Sequence, residues 1–131
     1  MRAGYAICAR MVAQTPASSP FLRLFPTDAA DVASLFARCA DYFLLQDGVP
    51  PTLSDAHALF TDLPPGKALQ DQAVFGCRDK GGLFAIAAVL RDYPAEGSWY
   101  LGFMIVDPRW RGRGVGASFY RTLEALSLIH I

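Results

Sequence analysis

The residues best suited to chemistry lie together at Val106-Asp107-Pro108-Arg109-Trp110-Arg111-Gly112-Arg113-Gly114-Val115-Gly116-Ala117. Glycine at alternate positions, Gly112, Gly114 and Gly116, lets a backbone approach a ligand that a Cβ would hold away. An apolar strand leads into this segment and an amphipathic helix leaves it. The first turn of a helix has N–H groups with no intrahelical acceptor. Together with the positive end of the helix dipole, those donors suit a phosphate-like anion. Arg111 and Arg113 can add charge-assisted bonds. The chemistry implied is a diphosphate held mainly by main-chain amides.

Elsewhere the reactive residue types are scattered. Cys8, Cys39 and Cys77 form no CxxC pair, and His57 and His130 have no partner at metal-ligand spacing, so no metal is expected. Free thiols, buried in a reducing compartment, are the reading, and the expected location is cytoplasmic. The chain has 131 residues, 12 basic and 12 acidic, 53% hydrophobic and 18% charged. That is one domain with enough apolar side chain to fold. Zero net charge disfavours a nucleic-acid partner. No stretch of about 18 apolar residues lacks a charge, so no membrane span is expected. The charge is nevertheless uneven. After residue 108, Arg109, Arg111, Arg113 and Arg121 are balanced by Glu124 alone, which favours a small anionic ligand at one end.

The elements that must position this segment can be read from periodicity. Residues 1–20 read as a leader or linker: Arg10 interrupts their apolar stretch, Thr15 to Pro20 is rich in Pro and Ser, and Met11 could serve as a start. The domain is read as 21–131. Phe21 to Phe25 alternates as a strand. Pro26-Thr27-Asp28 opens a helix, capped by Thr27 or Asp28, with Val32, Leu35, Phe36, Cys39 and Phe43 on one face. Gly48 to Pro51 breaks it. Ser54 is expected to cap a second helix carrying Leu59, Phe60 and Leu63, which Pro64-Pro65-Gly66 stops. Ala73–Arg78 and Leu83–Arg91 read as an antiparallel hairpin around Asp79-Lys80-Gly81-Gly82. Trp99–Val106 is a third strand. Gly114–Leu128 is the last helix, with Val115, Phe119, Leu123 and Leu126 on one face. An α/β layer is the expected architecture.

Three known phosphate loops can be tested against the motif. A P-loop needs GxxxxGK[ST], which does not occur. The dinucleotide fingerprint GxGxxG/A is met formally by Gly112-x-Gly114-x-x-Ala117. Pro108 to Arg111, however, separates strand from glycine, and Glu124 lies on the helix rather than on a following strand. The string R/Q-x-x-G-x-G/A is met by Arg111-Gly112-Arg113-Gly114-Val115-Gly116. It follows an apolar strand ending Met104-x-Val106-Asp107-Pro108. Here the chain resembles the GNAT family of acyl-coenzyme A N-acyltransferases, whose order of strand, two helices, three antiparallel strands and motif helix matches residues 21–128.

The resemblance implies an α/β (α+β) fold with a mixed, mostly antiparallel sheet flanked by helices. It implies acetyl-coenzyme A as co-substrate and a small-molecule or peptide amine as acceptor. Main-chain amides from Arg111 to Gly116, with Ala117 in the same turn, would bind the pyrophosphate. Met104, Ile105 and Val106 would bond the pantetheine arm as an added strand does, beside a bulge that admits the acyl group. A strand N–H would polarise the thioester carbonyl, and a neutral amine would attack directly.

Two departures stand out. Many members carry Glu eight residues before the strand's proline, where this chain has Tyr100. Tyr100 could relay a proton through water, and it could equally be a packed strand aromatic. Asp41, Asp47, Asp92 and Glu96 read as solvated surface. The family also continues past the motif helix into another strand, a helix bearing a proton-donating Tyr, and a hairpin. The last residues here, Ser127 to Ile131, come before any of these, so an incomplete domain of weak or no activity is expected, and His130 reads as a tail residue. A non-catalytic coenzyme A-binding or regulatory module is the alternative. An RNA-contacting role for Arg-Gly-Arg-Gly is disfavoured by the neutral charge.

Overall fold

The computed structural model describes residues 21–130, without the side chains of 126–130. The reading of 1–20 as a leader, Cys8, the side chains of Leu126 and His130, and Ile131 therefore lie outside the described residues. Strand β1 (Phe21–Leu24) is followed by helices α1 (Ala29–Arg38), α2 (Ala40–Asp47) and α3 (Leu53–Thr61). Then come β2 (Gln72–Asp79), β3 (Gly82–Arg91), β4 (Trp99–Val106) and helix α4 (Val115–His130). The strands form one 4-stranded antiparallel sheet in the order β1-β2-β3-β4. This is the α+β architecture expected, with helices on both faces.

β3 shows why both faces are covered. Every residue from Leu83 to Leu90 is buried, so the strand is apolar throughout rather than alternating. On one face Leu83, Ile86 and Ala88 pack with Val32, Leu35 and Phe36 of α1 and Phe60 of α3. On the other, Phe84, Ala85 and Ala87 pack with Val115, Phe119 and Leu123 of α4. The hairpin β2–β3 turns where Asp79 and Gly82 pair, and Asp79 Oδ1 accepts the Gly81 N–H at 2.7 Å.

Three local expectations are corrected. The single helix read through residue 47 breaks at Cys39, with no Gly or Pro to mark it. Its expected apolar face (Val32, Leu35, Phe36, Cys39 and Phe43) is nonetheless buried. The Tyr42 N–H bonds the Cys39 carbonyl in a tighter turn, and Asp41 of α2 meets Arg111. Neither Thr27 nor Asp28 caps α1 with its side chain. Asp28 Oδ2 instead accepts the Phe25 N–H at 2.8 Å, closing a 3-10 turn over Pro26–Asp28.

The cap of α3 is Thr52 rather than Ser54. Thr52 Oγ1 accepts the Asp55 N–H at 3.3 Å and Asp55 Oδ2 accepts the Thr52 N–H at 2.8 Å, a reciprocal capping box. Ser54 lies inside the first turn, and Leu63 falls beyond the helix. Thr52→Ala is expected to lower stability by about 1 kcal/mol in urea denaturation. Ser54→Ala, which removes no cap, should leave the midpoint unchanged.

Candidate functional site

β4 is the floor of the site. β3 pairs with it on one side, and no strand among the described residues pairs with the other. The Asp107 N–H donates to the Phe84 carbonyl at 2.8 Å. Main-chain bonding alternates along an antiparallel pair. Ile105 therefore turns its amide and carbonyl toward Ile86, its partner in register, and Met104 and Val106 turn theirs to the open edge. The run Met104 to Val106 is thus divided. Ile105 is spent on the sheet and its side chain is buried, so it offers nothing to an added strand. The register jumps between Ala88–Phe103 and Val89–Leu101, which leaves Gly102 as the extra residue of a bulge. The bulge implied by the resemblance is therefore present, just upstream of Met104.

Asp107 anchors the loop that follows. It is 1% exposed. Oδ2 accepts Arg38 Nε at 2.7 Å and Arg109 Nη2 at 3.1 Å, while Oδ1 accepts the Arg109 N–H at 2.9 Å and Nε at 3.1 Å. Burial pushes this carboxyl up, but the bonds from Arg109 and Arg38 outweigh it and hold the pKa at about 2. Arg38 Nη2 also donates to the Leu83 carbonyl at 2.6 Å, which ties α1 to β3 and to the end of β4. Next in sequence, the Trp110 ring stacks on Phe84 with centroids 4.5 Å apart. The loop thus leaves the sheet from two fixed points.

Beyond Arg111 the main-chain donors are open. The Arg111 N–H donates to the Pro108 carbonyl at 3.3 Å, and the Ser118 N–H makes the first bond of α4, to the Gly114 carbonyl, at 3.0 Å. Between them, no protein acceptor among the described residues meets the N–H of Gly112, Arg113, Gly114, Val115, Gly116 or Ala117. Gly112 and Gly114 have φ of 75° and 79°, the left-handed region where a side chain is strained. A Cβ on Gly116 would lie 3.6 Å from Met104 Cε and 3.9 Å from Val106 Cγ2, so this first helical turn rests directly against β4.

The arginines divide as well. Arg111, expected to add charge-assisted bonds to the anion, is engaged within the protein. Its Nε donates to the Val106 carbonyl at 3.0 Å, and Nη1 and Nη2 grip Asp41 at 2.7 and 3.3 Å. With its amide also bonded, Arg111 positions the loop through its contacts to Val106 and Asp41. Asp41 lies at the surface as read, but it is paired: its bond from Arg111 holds its pKa below the ordinary value. The Cys39 thiol donates to the same Val106 carbonyl at 3.5 Å, and burial raises its pKa over the opposing pull of Arg111. Arg113 lies over the Trp110 ring, 5.6 Å from its centroid, and pairs with no carboxylate among the described residues. Asp92 Oδ1 accepts the Gly97 N–H at 2.8 Å in the β3–β4 turn.

Tyr100 lies in the wall of a cavity of about 370 Å³ that reaches the bulge at Gly102 and is roofed by Phe36, Phe43 and Leu59. It is 46% exposed and meets Tyr93 edge-on at 5.2 Å. Arg38, Asp41 and Asp107 were missed as positioning residues. A strand-end carboxylate before Pro108 is a faint signal for Asp107. Its pairing with Arg38, like that of Asp41 with Arg111, spans too many residues to leave any local pattern.

The profile of the Acetyltransferase (GNAT) family matches residues 33–128. The chain belongs to the GNAT acetyltransferase family. Solved GNAT structures share its fold. An acetyltransferase from Thermus thermophilus superposes with a TM-score of 0.67 at 20% identity, over 80% of this chain and 66% of that one. A ribosomal-protein-alanine N-acetyltransferase from Brucella melitensis biovar Abortus gives 0.59 at 20% identity, over 80% and 68%. A tandem GNAT protein from the clavulanic acid biosynthesis pathway gives 0.61 at 20% identity, over 84% and 33%. The chain thus spans about two thirds or less of these relatives' lengths. No curated protein matches it by sequence. Among the described residues, no helix is long and apolar enough to cross a membrane, and no three His, Cys, Asp or Glu side chains gather as metal ligands.

Proposed function

We propose that this GNAT chain binds acetyl-coenzyme A and directs its acetyl group to a primary amine. The observation that carries the reading is the run of open amides from Gly112 to Ala117, together with the first turn of α4 packed at Gly116 against the Met104 and Val106 side chains of β4. Those donors and Arg113 hold the diphosphate. The main-chain groups of Met104 and the Val106 N–H take the pantetheine arm as a neighbouring strand would. The acyl end then falls at the Gly102 bulge, where the chain opens into the cavity bearing Tyr100.

The chemistry needs no covalent enzyme intermediate. The amine nitrogen attacks the thioester carbonyl carbon, the C–S bond breaks, and the sulfur leaves as thiolate and takes up a proton. The attacking nitrogen must shed a proton, and Tyr100 relays it through water. A β4 N–H at the bulge stabilises the oxyanion.

Isothermal calorimetry of the folded chain with acetyl-coenzyme A tests the binding half. A saturable one-to-one isotherm, competed by coenzyme A, is expected. Folded protein that gives no heat and no thermal shift would reject the reading. Where acetyl transfer to an amine is measurable, Tyr100→Phe should lower turnover about tenfold or more at unchanged affinity for the coenzyme. Equal turnover would make Tyr100 a packing residue only.

A further inference from the structure

The cavity beside the bulge has a chemistry of its own. It lies between β3 and β4 below and α1 to α3 above. At about 370 Å³ it is near the small end of small-molecule sites, which run to roughly 300–1,000 Å³. Its walls are largely apolar: Phe36 and Phe43 lie 4.8 Å apart, and Phe103 meets Phe36 edge-on at 5.7 Å. Two carboxylates, Asp55 and Asp62, are the charged groups among its lining residues, and none of those residues is basic. They are not equivalent. Asp55 is engaged in the Thr52 capping box, while the carboxylate of Asp62, at the end of α3, pairs with no group among the described residues. The sequence extends this bias. From Cys39 to Gly66 there is no Lys or Arg, against Asp41, Asp47, Asp55 and Asp62.

Resting on the acetyl-transfer reading, we propose that the acceptor is a small primary amine carried on an aromatic or branched aliphatic body. The body fills the space under Phe36, Phe43 and Phe103, and Asp62 draws the ammonium form in. Apolar walls strip water from whatever enters, so a polyhydroxylated amine would lose hydrogen bonds it cannot regain there. A long polyamine would leave most of its charges without partners, since only Asp62 is uncommitted. The cavity's extent favours one ring-sized group over a peptide. Asp62 is therefore a specificity residue for the acceptor, and the aromatic cluster sets which bodies fit.

The test is direct binding, read independently of turnover. The full chain, with and without coenzyme A, is titrated by calorimetry with 2-phenylethylamine, spermidine, kanamycin and an alanine-led tripeptide. 2-Phenylethylamine should bind with the lowest Kd. Asp62→Asn should weaken it about fivefold, the upper range for a solvent-exposed ion pair, and leave coenzyme A binding unchanged. Ala58→Phe, which fills the cavity from α3, should abolish amine binding and spare the coenzyme. If coenzyme A binds and 2-phenylethylamine does not, or if any of the other amines binds more tightly, the proposal falls while the coenzyme reading stands. Equal amine affinity in Asp62→Asn removes Asp62 from it. If the amine binds and coenzyme A does not, the site keeps its ligand class and the acetyl-transfer reading falls.

Discussion

Coenzyme A affinity is expected to drop by a hundredfold or more in Gly114→Glu, with the fold retained. Gly114 sits among the open amides at the mouth of α4, with φ of 79°. A carboxylate there would stand beside the diphosphate. Two like charges about 4 Å apart repel by about 4 kcal/mol at an effective dielectric of 20, which already exceeds the factor of a hundred. The backbone adds about 1–2 kcal/mol of strain, because a Cβ disfavours the left-handed region. Gly114→Ala separates the two contributions. It carries the strain without the charge and should bind more weakly than the parent but far better than Gly114→Glu. Calorimetry gives the affinities, and circular dichroism on the same samples reports the fold. A Gly114→Glu protein that bound coenzyme A normally would move the diphosphate away from this loop.

Asp107→Ala is expected to destabilise the chain by about 2 kcal/mol, because it removes the buried carboxylate that takes charged hydrogen bonds from Arg38 and Arg109. It should also weaken coenzyme binding, since the loop loses one of its two anchors. The same carboxylate makes stability depend on pH. Its folded pKa, about 2, lies below the ordinary 3.8. The carboxylate form therefore stabilises the fold fully above about pH 4, and that contribution, about 2 kcal/mol, is lost as pH falls through about 2. Urea denaturation of the parent and of Asp107→Asn should show a stability gap that narrows by this amount between pH 6 and pH 2. A gap independent of pH would mean that Asp107 is not held ionised by its arginines.

Parts of the site and fold were legible because their causes are local. Two apolar runs on either side of the Asp79–Gly82 turn dictate the β2–β3 hairpin, and the end of β4 at Val106 follows from Asp107-Pro108. The glycine spacing after Trp110 announced a loop of open amides at a helix start, and the order of elements pointed to the family. What failed locally did so for reasons at a distance. The helix through residue 47 keeps its apolar periodicity yet breaks at Cys39, where the flanking residues bond distant partners: Cys39 to the Val106 carbonyl and Asp41 to Arg111. Arg111 and Arg113 look alike in the motif, but only Arg113 lacks a carboxylate brought to it from elsewhere.

The amino-acid order alone established the strands, the glycine-rich turn before the last helix and the family, since period, turn chemistry and glycine placement act over a few residues. Only the folded chain decided which donors stay open. Hydrogen-bonding groups are used up by whichever partner the packing delivers, and the partners of Arg111, Asp107 and Ile105 come from other segments of the chain. The same packing brought Asp62, Phe36 and the Gly102 bulge around one cavity, which no spacing along the sequence records.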